Sequence, residues 1–62
     1  MTVKDVRIRL LLIAELQRDG EMAHSAEDRL WEDVLRAIAR GDKYPISLAA
    51  EAVKSRDIVF DR

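Results

Sequence analysis

Val3-Lys4-Asp5-Val6-Arg7-Ile8-Arg9-Leu10-Leu11-Leu12-Ile13-Ala14-Glu15-Leu16 is the stretch on which the fold turns. Two periods compete in it. Over residues 6–10 the apolar Val6, Ile8 and Leu10 alternate with Arg7 and Arg9, which is the period of a strand. Over the whole stretch the apolar residues instead recur every three or four positions, which is the period of a helix. The apolar run continues through Leu11, Leu12 and Ile13 without a break, and Thr2 with Asp5 has the form of a capping box, Asp standing for the usual Glu. A first helix is therefore expected over residues 3–18. It carries one stripe of Val3, Val6, Leu10 and Ile13, and a second of Ile8, Leu12 and Leu16 on nearly the opposite side, with Leu11 between them. A single packed neighbour covers only one stripe. The other points to a second partner, most simply another copy of the chain.

Composition bounds what such a chain can do. At 62 residues it is one domain at most, and domains of that size are marginal alone. It has no cysteine, so neither a disulfide nor a thiolate metal site reinforces it. Oligomerisation is the remaining common remedy. Charged residues make up 37% and nearly balance, for a formal net charge of −1, which argues against a general affinity for phosphate. No run approaches the length needed to span a bilayer. The longest, residues 10–14, is too short and too flanked by charge for a signal sequence. A cytoplasmic setting is the default expectation. With 48% apolar residues, the chain reads as folded rather than disordered.

Outward from the first stretch, Arg18, Asp19 and Gly20 read as a basic last turn followed by a left-handed glycine cap. Residues 21–24 read as a connection. Ser25 then reads as the N-cap of a second helix, with Glu27 and Asp28 set against the positive helix end. Leu30, Trp31, Val34, Leu35 and Ile38 form its apolar face. Glu32 with Arg36, and Arg29 with Asp33, are spaced for i,i+4 ion pairs. Gly41 ends it. Residues 42–46 form a turn around Pro45. Ser47 is placed as the cap of a short third helix reaching about Ser55, with Leu48, Ala49, Ala52 and Val53 inward. Ile58, Val59 and Phe60 make an apolar tail expected to pack across helices or a partner. The expected architecture is an all-α, small three-helix domain occupying residues 1–62.

Chemistry-bearing residues are sparse. His24 lies near Glu21, Glu27 and Asp28, but a zinc site needs three or four well-placed ligands, and these carboxylates are better used on the helix dipole. No metal or cofactor is expected. Ser25, Ser47 and Ser55 fit caps and surface better than a nucleophile with a base and an orienting group, so the chain does not read as an enzyme. Trp31 fits either the core or a binding hot spot. If residues 6–10 were a strand, Arg7 and Arg9 would instead belong to a ribbon-helix-helix regulator, a dimer that reads the major groove through strand side chains. A helix-turn-helix fits less well, because Glu51, Lys54 and Ser55 do not supply the Arg, Asn or Gln needed to read bases. Nucleic-acid binding is expected to be weak and lost at physiological salt.

Ala23-His24-Ser25-Ala26-Glu27-Asp28-Arg29-Leu30, followed by Asp33-Val34-Leu35-Arg36-Ala37-Ile38-Ala39, resembles a group of short proteins from actinobacteria and their bacteriophages. Asp57-Ile58-Val59-Phe60-Asp61-Arg62 is similar to their ending, which often runs on to a Trp. The resemblance spans about two-thirds of the chain and rests on capping and core patterns. It implies an actinobacterial or phage setting, in which a host protein is a plausible partner, and it brings no activity or site residue with it. The expected function is protein–protein contact, with homodimerisation through Ile8, Leu12 and Leu16, joined by Trp31 and Phe60.

Overall fold

A computed structural model describes residues 1–58. Three helices carry the domain: α1 (Val3–Glu15), α2 (Gly20–Ala39) and α3 (Pro45–Val53). A 3₁₀ turn (Leu16–Arg18) follows α1, and a single-turn helix α4 (Ser55–Ile58) follows α3. The domain is all-α, with no strand among the described residues.

The competition between periods in the first stretch is resolved at its start. Thr2 is extended, its hydroxyl accepts from the Asp5 amide at 3.1 Å, and the Asp5 carboxylate accepts from the Thr2 amide at 2.9 Å. This reciprocal cap satisfies two orphan donors of the first turn and starts a helix at Val3. The strand required by the ribbon-helix-helix alternative is therefore not formed. Val6, Leu10 and Ile13, spaced four and three apart, bury against the other helices.

The boundary between the first two helices differs from expectation. Gly20 is not a left-handed cap. Asp19 is extended at φ −110° and its carboxylate accepts from the Met22 amide at 3.2 Å, so that Gly20 opens α2. The residues expected to connect the helices are helical, and Ser25 is an exposed residue inside α2 rather than its cap. Asp19 is as good a capping residue as Ser25, with Glu21 behind it in the first turn. The earlier start also buries Ala23 completely, a gain that a start at Ser25 forgoes.

Helix α2 ends as expected. Gly41 adopts φ +84°, its amide donates to the Ile38 carbonyl, and the Asp42 amide donates to the Ala37 carbonyl. These are the two bonds of a Schellman motif, which needs a residue at ease in the left-handed region. Helix α3 starts at Pro45, ahead of the expected Ser47. Proline at the first helical position lacks only an amide that would be orphaned anyway, and its ring presets φ. Tyr44 precedes it with no side-chain cap bond.

The core is Val6, Leu10 and Ile13 from α1, Ala23, Leu30, Val34 and Ala37 from α2, and Leu48 and Ala52 from α3. The α2 members fall on one stripe at helical spacing. Two expected core residues lie at its margin: Leu35 is 62% exposed and Val53 52% exposed. Helix α1 packs against both other helices and is tied to each by an ion pair. Arg9 Nη1 meets Asp33 Oδ2 on α2 at 2.7 Å, and Arg7 Nε meets Glu51 Oε2 on α3 at 3.1 Å.

Candidate functional site

Rotating α1 so that Val6, Leu10 and Ile13 face inward necessarily turns the second stripe outward. Ile8 is 56%, Leu11 69% and Leu12 53% exposed. Leu16 behaves differently: it is half-buried and packs at the edge of the core. Beyond it, Leu16 shares a shallow surface depression with Met22 and Ala26, and Met22 is itself exposed. The apolar strip therefore runs along α1 and over the 3₁₀ turn to the start of α2.

A second apolar surface is the groove between α2 and α3. Trp31, Val34, Leu35 and Ile38 form one wall and Ala49, Ala52 and Val53 the other. The alanines let the two helices approach closely, and Ile46 stands fully proud at the start of α3, 84% exposed. Trp31 serves core and groove at once. It is half-buried, its ring lines the groove, and its Nε1 donates to Ser55 Oγ at 2.8 Å. Phe60, also expected at a contact surface, lies outside the described residues.

Trp31 leads to a buried polar chain that the sequence reading missed. Ser55 Oγ accepts from the indole and donates to Glu27 Oε2 at 2.7 Å. Ser55, expected at the surface, is completely buried, and Glu27 is nearly so. The chain locks α4 onto α2 and gives each buried polar atom a partner. A signal for half of it existed. Glu27 falls in phase with Ala23, Leu30 and Val34 and so occupies a core position of α2, whereas the break between α3 and α4 leaves no such phase for Ser55. With its hydroxyl engaged on both sides and no access to solvent, Ser55 presents no nucleophile.

The remaining candidates do not converge. His24 is exposed on α2 and, contrary to expectation, is helical together with Asp28 at i,i+4 spacing. Even so, no cluster of three or more His, Cys, Asp or Glu suited to a metal ion exists among the described residues. Arg7 and Arg9, the residues of the nucleic-acid alternative, are held by Glu51 and Asp33. Of the two ion pairs expected within α2, Glu32 with Arg36 forms at 2.6 Å, whereas Asp33 turns to Arg9 instead of Arg29. The Arg9 guanidinium holds the Asp33 carboxyl below its ordinary value. Lys54, with Arg7 beside it, does the same for Glu51. No described helix is long and apolar enough to cross a membrane.

No family model, curated protein or solved structure matches the chain.

Proposed function

We propose that this chain acts through protein–protein contact and that the outer face of α1 is the surface by which it self-associates, a homodimer being the smallest product. The observation that carries the reading is the exposure of Ile8, Leu11 and Leu12 on one helix face. Adjacent large aliphatic side chains left in water are a recurrent mark of an interaction surface. Domains of 62 residues without cysteine are also marginal alone, and association is a common remedy. Burial of the strip supplies the strength, and Lys4, Asp5 and Glu15 around it set the register.

Sedimentation equilibrium at micromolar concentration tests this. The wild-type chain should sediment as a dimer or larger. Leu12→Glu should sediment as a folded monomer, because Leu12 is no part of the core and a charge there leaves the fold intact. A wild-type chain that stays monomeric at the highest soluble concentration, or a Leu12→Glu variant that associates as the wild type does, would overturn the reading.

A further inference from the structure

We infer that the outer face of α1 seats in the α2–α3 groove of a second copy, so that association is head to tail rather than face to face. The inference rests on the preceding reading of α1 and names the surface that receives it.

The distribution of exposed apolar residues is the first argument. Among the described residues the large ones fall in two places. Ile8, Leu11, Leu12 and Met22 lie on the α1 strip. Leu35 and Val53 line the groove, and Tyr44 and Ile46 stand at the start of α3. Pairing α1 with α1 leaves the second set in water on both copies. Seating α1 in the groove covers both sets in one contact.

Shape is the second argument. The strip is a ridge on a single helix, and the groove is a trough between two. Helix α1 already lies against α2 and α3 with its inner stripe, and the groove offers the outer side of the same two helices. Its floor includes Val34 and Ala52, and Ala49 on its wall leaves room for a ridge to settle. A trough between two helices of a three-helix bundle faces away from the third. The chain's own α1 therefore cannot reach its own groove, and the contact has to be made between copies.

Charge gives the seating a direction. Lys4 stands at the start of the strip and Glu15 at its end, about 16 Å apart along a helix. Asp28 and Glu32 flank Trp31 at one end of the groove, and Lys43 stands beside Tyr44 at the other, its Nζ 5.9 Å from the ring centre. Placing Glu15 over Lys43 opposes unlike charges, whereas the reversed seating sets Lys4 against Lys43. At the other end Glu32 is already paired with Arg36, and Arg56 offsets Asp28 in the same surface depression. The Lys43 end therefore gives the contact its direction, while apolar burial supplies its strength. Because ridge and trough lie on opposite sides, each bound copy still offers one of each, and association continues beyond the dimer unless it closes into a ring.

Complementary variants test the inference. Leu12→Glu spoils the ridge and keeps the groove. Leu35→Glu spoils the groove and keeps the ridge, and Val53→Glu is a second groove variant should Leu35→Glu unfold by circular dichroism. Each variant alone should sediment as a monomer. An equimolar mixture of a ridge variant and a groove variant should form a heterodimer and nothing larger, since only one intact ridge and one intact groove remain. If the groove variants associate like the wild type while Leu12→Glu is monomeric, α1 pairs with α1. This inference then fails, and the reading of α1 as the self-association surface stands. A mixture that stays monomeric also overturns the inference, and association of Leu12→Glu alone overturns both.

Discussion

Two serines of this chain carry opposite burdens. Ser55 is fully enclosed and bonded to Trp31 and Glu27. Ser55→Ala removes an acceptor from the indole and a donor from the carboxylate, leaving both without that partner, and should cost about 1–3 kcal/mol. Ser25 is exposed within α2 and caps nothing. Ser25→Ala should change stability by no more than about 0.5 kcal/mol, and toward greater stability, since alanine is the better helix former. Urea unfolding of the two variants measures both. Equal losses would mean that the hydroxyl of Ser55 does no more than that of Ser25.

At the scale of elements, the start of α2 and the placement of α1 have separate causes. The start depends on Asp19, so Asp19→Ala should cost about 0.5–2 kcal/mol in the same measurement. The placement of α1 against its neighbours is steadied by Arg9 with Asp33 and Arg7 with Glu51. Both carboxyls are held below their ordinary values in the folded chain, Asp33 by Arg9 and Glu51 chiefly by Lys54. On acidification the unfolded chain therefore takes up protons first. The contribution of these pairs is complete above the ordinary carboxylate range and is lost as pH falls through that range and below it. The urea midpoint should decline between about pH 5 and pH 3, and Asp33→Asn should make the decline shallower. The effect is modest because the Arg9 pair is partly exposed and water screens it. A midpoint that stays level across that interval would remove electrostatics from the account of how α1 is held.

At the scale of the whole molecule, the described residues span 34 × 17 × 15 Å, and their long axis is close to the ~30 Å length of a 20-residue helix. Helix α2 is that rod, and α1 and α3 lie along it. Three helices in so small a body enclose few residues on all sides, so α1 and α3 each keep an apolar flank in water. If association covers those flanks, folding and assembly are linked by mass action. The midpoint of thermal unfolding should then rise by several degrees for each tenfold increase in chain concentration. The same series with Leu12→Glu should be flat. A concentration-independent midpoint for the wild-type chain would separate stability from association.

What the sequence determined alone is what adjacent residues settle among themselves. The helix start at Thr2, the Schellman end at Gly41 and the Glu32–Arg36 pair each depend on groups within about one or two turns of one another. Periodicity also sets Ile8 and Leu12 on a different side from Val6, Leu10 and Ile13, without choosing which stripe is buried. Tertiary structure decided wherever two local solutions were nearly equal or the partner was remote. Asp19 prevailed over Ser25 as the cap because the longer helix buries Ala23. Asp33 chose Arg9, 24 residues away, over Arg29 on its own helix. Ser55 was enclosed by Glu27 and Trp31, 28 and 24 residues distant. The groove required α2 and α3 to lie side by side, and no single helix contains it. Local periodicity ranks the faces of each helix, but the final packing determines which face finds a partner and how much of it water still reaches.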